Sequence, residues 1–272
     1  MSEEKQNLDG RVAIITGATR GVGKACALAL AKRGCNIVLA GRTVDPHPKL
    51  EGTLSSVAAE VEALGVKTLQ VPTNVRKSED IENMVKQTVD TFGRVDIMIN
   101  NAGAAWWFGI EDTPVNKYNL VNEVNSRATF LASREVIPHM KKNGWGHIIN
   151  MSPPIKPEMA EGKIAYMISK FGMTLVTIGL AKEMETEPIG VHSLWPVTLI
   201  ESAATLHLGL GQPEDWRKAD ILADATVALV SRDPKLPSGK AWFDEEVLKE
   251  EGMTDFTKYA CVEGKTPMTI PW

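Results

Sequence analysis

Tyr166 is followed four residues later by Lys170, whereas the other two tyrosines, Tyr118 and Tyr259, have Asn122 and Glu263 at that spacing. On a helix, residues four apart share a face, so the ammonium stands beside the phenol, stabilises the phenolate and lowers the tyrosine pKa toward neutrality. Such a pair is a usable general acid and base. It opens a helical stretch, 165–183, that follows a β-branched run at 147–151, and Ser152 sits at the carboxyl end of that run.

A second constellation is the turn Thr16-Gly17-Ala18-Thr19-Arg20-Gly21-Val22-Gly23. Gly17 suits a tight turn off a strand, Gly21 lets backbone approach a phosphate, and Gly23 permits close helix packing, while the helix N-terminus offers unpaired N–H groups to an anion. An ordinary strand-to-helix turn would use the same glycines; the position after the first strand favours the phosphate cradle. About 20 residues further on, where a carboxylate would select a ribose hydroxyl, the chain reads Leu39-Ala40-Gly41-Arg42-Thr43. Arg42 with Arg20 suits a 2′-phosphate, hence NADP(H), the alternative being solvated surface charge.

The elements that must hold these groups alternate β-branched runs with helical patterns, the signature of repeated βαβ units. Strands are predicted at 12–16, 36–40, 66–71, 95–100, 147–151, 190–194 and 240–243. Helices are predicted at 21–33, 53–64, 78–91, 165–183 and 221–230, with two in succession over 115–142. The expected fold is one α/β domain over 1–272: a Rossmann-type doubly wound parallel sheet flanked by helices, with a tail at 1–9. Ligands of such sheets sit outside the carboxyl ends of the strands, where Gly17, Asn100 and Ser152 fall.

Composition narrows the function classes. Among 272 residues, 43% are hydrophobic and 24% charged, which excludes disorder as the main state, and a net charge of -4 gives no drive toward nucleic acid or an anionic membrane. No 18-residue apolar run and no apolar N-terminal segment occurs, and Cys26, Cys35 and Cys261 have no scaffold spacing, so a reduced, cytoplasmic protein is expected. No metal is expected, because His47, His139, His147, His192 and His207 are scattered.

The glycine-rich turn, Asn100-Asn101-Ala102-Gly103, Asn125, Ser152 and the Tyr166/Lys170 pair stand in an order and spacing that resemble the short-chain dehydrogenase/reductase family over 8–243. The resemblance implies that Tyr166 exchanges the proton, Lys170 tunes it and holds the nicotinamide ribose, Ser152 bonds the substrate oxygen, and Asn125 anchors a proton relay. It implies a cofactor cleft built from Gly17, Thr19, Arg20, Gly21, Val22 and Gly23, from Arg42, Thr43, Asn74 and Val75, from Asn101, Ala102 and Gly103, and from Pro196 and Thr198. Three departures stand out: Pro153 where a second serine is usual, Asn74 in place of an acid, and Val197 where glycine usually follows the proline.

Trp106, Trp107 and Phe108 follow the fourth strand, Trp195 ends the sixth, and Met159 precedes Tyr166. If they face the cleft they make an apolar pocket for a bulky ketone or secondary alcohol; the alternative is core or subunit contact. The stretch 165–181 holds one charged residue, Lys170, so a second subunit is the expected cover, in a homodimer or homotetramer. The reading is an NADP(H)-dependent alcohol dehydrogenase or carbonyl reductase. The alternatives are a 3-oxoacyl thioester reductase and a cofactor-binding sensor with little turnover.

Overall fold

The computed structural model describes residues 7–45 and 52–270; His47, most of the tail at 1–9, and Pro271 and Trp272 lie outside the described residues. The first half alternates strand and helix: β1 (Val12–Thr16), α1 (Gly21–Ala31), β2 (Asn36–Gly41), α2 (Leu54–Glu62), β3 (Thr68–Pro72), α3 (Ser78–Phe92) and β4 (Ile97–Asn100). Every residue of β1 and β4 is buried, as expected of strands covered by helices on both faces. Thr53 caps α2 by accepting from the Ser56 N–H at 3.0 Å, and Gly93 ends α3 in the left-handed conformation.

The second half contains α4 (Val115–Asn122), α5 (Ala128–Asn143), β5 (Gly146–Asn150), α6 (Ile164–Glu183) and β6 (Ile189–Trp195). It closes with β7 (Leu199–Ile200), α7 (Ala203–His207), β8 (Trp216–Arg217), α8 (Asp220–Val230), β9 (Ala241–Phe243) and α9 (Asp244–Glu250). The two helices expected over 115–142 are joined without a break by a π-helical turn, Glu123–Arg127. The short β7, β8, α7 and α9 were not expected from the sequence.

Seven strands form one parallel sheet in the order β3-β2-β1-β4-β5-β6-β9, with Ala13 beside both Ile37 and Ile97. From β1 the chain builds outward to β3 and then returns to β1's other side with β4. That reversal opens a crevice at the carboxyl ends of β1 and β4, the switch point of a doubly wound sheet. Separate apolar clusters cover the two faces, one centred on α1, α2 and α8 and the other on α3 and α5.

By length and composition α6 could cross a membrane, but 56% of its most apolar window is buried inside the protein. The three cysteines form no disulfide, and burial pushes the Cys26 thiol up to about 12.

Candidate active site

The crevice is a cleft of about 710 Å³, within the range of small-molecule sites. Its floor is the turn between β1 and α1. Gly17 and Gly21 have φ of 67° and 50°, values that side-chain-bearing residues rarely adopt. Gly23 does not line the cleft but packs under it: a Cβ there would lie 2.3 Å from the Gly17 carbonyl oxygen and 2.6 Å from Asn101 Nδ2. Arg20 precedes α1 without a side-chain cap, so the first-turn N–H groups of α1 are not capped by its side chain.

Asn101 fastens this turn to the end of β4. Its Nδ2 donates to the carbonyls of Thr16 at 2.9 Å and Gly17 at 3.3 Å, and the Thr16 hydroxyl accepts from the Ala102 N–H at 3.1 Å. Thr19, Val22, Thr43, Asn74, Val75, Ala102 and Gly103 all line the cleft. Asn74 uses its side-chain oxygen to accept from the Arg76 N–H at 3.2 Å while its own N–H donates to Asp80.

Arg20 and Arg42 both line the cleft beside Thr43, whose hydroxyl accepts from Arg20 Nη2 at 3.1 Å. Burial, and then the repulsion of the neighbouring Arg42 charge, hold the Arg20 pKa below its ordinary value. Two guanidiniums brought to one wall against their own repulsion suit a multiply charged anion.

At the other end α6 delivers Tyr166 and Lys170 to the same cleft. Lys170 is 5% exposed, and its Nζ donates to the Met151 carbonyl at 2.8 Å. Burial, rather than the ammonium expected to lower the phenol's pKa, dominates the electrostatics of both groups. Burial pushes Tyr166 well above its ordinary value and pulls Lys170 down to about 7. The low dielectric around both groups disfavours both charged forms, and the ammonium is directed at a backbone carbonyl.

Asn125 sits in the π-helical turn and is fully buried. Its amide embraces the backbone of Ala104, accepting from N–H and donating to the carbonyl at 2.9 Å each, and donates to Ser169 Oγ at 2.8 Å. It therefore ties the strand-end loop to α6 beneath the cleft. An extra residue in a helical turn re-aims a side chain in this way, and such turns gather at functional sites.

Ser152 is placed differently from the expectation. It is fully buried, its hydroxyl donates to Ser193 Oγ at 2.9 Å, and Thr174 Oγ1 lies 3.0 Å away. Ser193 in turn meets Thr177 at 2.6 Å, and Thr177 accepts from Asn150 Nδ2 at 2.8 Å. The hydroxyl is thus spent on a polar network between β5, β6 and α6. Pro196 and Thr198 likewise do not line the cleft, and Thr198 is fully buried.

Of the aromatic candidates, Trp107, Met159 and Trp195 gather around Tyr166 in one apolar cluster, with the Trp107 and Tyr166 rings 5.9 Å apart. Trp106 does not join them. It packs on Phe108 at 4.4 Å, with Lys117 over its ring at 4.9 Å. Lining residues that sequence reasoning missed include Gly41, Thr73, Leu120, Val124 and Ser202–Ala204. The capping pattern Ser202…Thr205, in which Ser202 Oγ accepts from the Thr205 N–H at 3.1 Å, was the signal available for the last of these.

Residues 11–205 match the family model for short chain dehydrogenase. The chain is 43% identical over 260 residues to "Hydroxysteroid dehydrogenase-like protein 2" of Homo sapiens, covering 94% of this chain and 62% of that protein, so it spans about three-fifths of the relative's length. Among solved structures, a short chain dehydrogenase from Mycobacterium thermoresistibile superposes with a TM-score of 0.91 at 35% identity, over 97% of this chain and 95% of the other. L-sorbose reductase from Gluconobacter frateurii, solved with NADPH and L-sorbose, does so with a TM-score of 0.76 at 26% identity, over 87% and 95%. With its sheet order, its glycine turn and its Tyr166/Lys170 pair in one cleft, the chain belongs to the short-chain dehydrogenase family of nicotinamide-dependent oxidoreductases.

Proposed function

We propose that the protein is an NADP(H)-dependent oxidoreductase acting on a bulky, apolar ketone or secondary alcohol, with Tyr166 as general acid in reduction and general base in oxidation. The observation that carries the reading is that Tyr166 and Lys170 line the same cleft as Gly17, Arg20 and Arg42. NADP(H), when bound, supplies or accepts the hydride. The remaining work falls to the chain. The α1 N-terminus and the two arginines bind phosphate, Asn101 and Asn125 hold the strand-end loop rigid, and Tyr166 holds the proton at its phenol oxygen. Lys170, when protonated, places a positive charge within the site that favours the phenolate as the proton leaves.

Trp107, Met159 and Trp195 around the phenol support an apolar substrate, because a polar one would lose hydration there without regaining hydrogen bonds. Titrating the protein with NADPH and NADH, and repeating both with Arg42→Ala, tests the cofactor assignment. The expected outcome is a roughly ten- to hundredfold preference for NADPH that shrinks in the variant. Equal binding of both would return the assignment to NAD(H).

A second reading, a cofactor-binding sensor with little turnover, is favoured by the internal placement of Ser152. It predicts cofactor binding without reduction of any bulky ketone in a screen, and binding of a partner protein that changes with the cofactor.

A further inference from the structure

The segment that runs from Trp195 to the cleft-lining Ser202–Ala204 is tied down by residues far along the chain. Trp195 stands with its ring 5.2 Å from Lys170 Nζ, and Ser202–Ala204 line the cleft directly. Between them, Val197 has both backbone groups taken by remote partners. Its N–H donates to Asp244 Oδ1 at 3.1 Å, and its carbonyl accepts from the Ile270 N–H at 2.9 Å. Thr198 forms an antiparallel bridge with Thr269. The carboxyl-terminal stretch is itself anchored to the base of this segment, since Lys218 N–H donates to the Tyr259 carbonyl at 2.8 Å and Cys261 N–H to the Trp216 carbonyl at 3.1 Å.

Nothing in this arrangement is needed to complete the seven-stranded sheet, whose last strand ends at Phe243. Asp244 and Ile270 also lie beyond residue 205, where the family match stops. Among the described residues only glycines have positive φ, so Val197 lies in ordinary backbone, and no glycine hinge is present at this position. A backbone that is pinned at both its donor and its acceptor is pre-organised, and a ligand wall held in place saves the ordering cost at binding.

We propose that Asp244 and Ile270 are positioning residues that act through Val197 to hold the segment 195–204, which brings Ser202–Ala204 to the cleft, against the Lys170 end of the bound cofactor. The proposal rests on the cofactor reading above. It requires that loosening Val197 weaken the grip on the nicotinamide end of the dinucleotide while leaving the adenosine end, held by Arg20 and Arg42, as it was.

The test uses the full chain and two ligands, NADPH and adenosine 2′,5′-bisphosphate, which shares the adenosine end and lacks the nicotinamide. Ile270→Pro deletes the N–H that reaches Val197, Asp244→Ala deletes the acceptor, and Asp244→Asn keeps an oxygen there. Met268→Ala, an exposed neighbour in the same stretch, is the control. Ile270→Pro and Asp244→Ala should each weaken NADPH roughly five- to tenfold with adenosine bisphosphate unchanged to within about twofold, while Asp244→Asn and the control bind as the parent does. Because Asp244 is fully buried and its alanine variant could fail to fold, Ile270→Pro is the deciding variant. Equal weakening of both ligands would make the contact merely structural, and unchanged NADPH binding would show that the wall does not need it; either overturns the proposal. A parent protein that binds neither ligand overturns the cofactor reading together with it.

Discussion

Lys170 Nζ donates to the carbonyl oxygen of Met151 at 2.8 Å, so its side chain is anchored to the end of β5 and sits 95% out of water. A buried ammonium is held at the expense of stability. Burial brings its pKa from 10.5 down to about 7. Between those values the unfolded chain binds the proton more readily than the folded one, so stability rises with pH across that window, and below about 7 the penalty is felt in full.

Lys170→Met is therefore expected to melt higher than the parent near neutral pH while losing turnover. The gain should be about 2 kcal/mol, since the relief of burying a charge is partly offset by leaving the Met151 carbonyl without its donor. Thermal melts paired with NADPH-dependent ketone reduction check both halves. A variant that melts lower and still turns over would contradict the assignment.

Ser152→Ala separates the two placements of that hydroxyl. A contact with the substrate oxygen would make its loss cost turnover by roughly a hundredfold or more. The network with Ser193 and Thr174 instead predicts a stability loss of about 1 to 2 kcal/mol with turnover of the folded protein reduced less than about tenfold. Urea titration and steady-state kinetics on the same preparation distinguish them.

Acid stability should be governed in part by His147 and His192, whose rings stack 6.5 Å apart in the interior. Burial lowers His147 from 6.5 to about 4, with the Arg11 and Arg232 charges adding to it, and lowers His192 to about 3, with His147 and Arg232 adding to it. Both are neutral when folded and protonate on unfolding. Their contribution is present above about 6.5 and is lost as pH falls toward 4, on the order of 3 kcal/mol for His147. Denaturation midpoints measured down this range should fall less steeply in His147→Gln; an identical slope would remove His147 as a cause.

The apolar stripe on α6 should join subunits. Ile164, Ile168, Leu175 and Ile178 are exposed on the helix that holds Tyr166, and Tyr118 and Val115 of α4 are exposed nearby around a small apolar hollow. An unpaired patch of this kind on a folded protein marks an association surface. Leu175→Glu is expected to convert a dimer or tetramer to smaller species by light scattering, with cofactor binding retained. An unchanged mass would place any subunit contact elsewhere.

Much of the scaffold could be read without coordinates because each signal is local. The 12–16 strand and the helix from Gly21 follow from periodicity and from backbone preferences that act within a few residues. The same holds for the glycine turn and the Tyr166/Lys170 spacing, which need only their own element to be meaningful. Tertiary packing decided the rest. Whether Ser152 faces the cleft or the network depends on which side of β5 its strand end turns, and that is fixed by Thr174, Thr177 and Ser193, from elements up to 41 residues away.

Packing likewise drew Trp107 to Tyr166 and sent Trp106 to Phe108, although the two are adjacent in the chain. It set the charge balance of the site, because burial disfavours the charged forms of both Tyr166 and Lys170. The sequence by itself determined which groups are present and which local backbone they occupy. Only the fold decided which of them reach the cleft and how their protons are held, since burial and long-range hydrogen bonds are properties of the assembled interior and of no single stretch of chain.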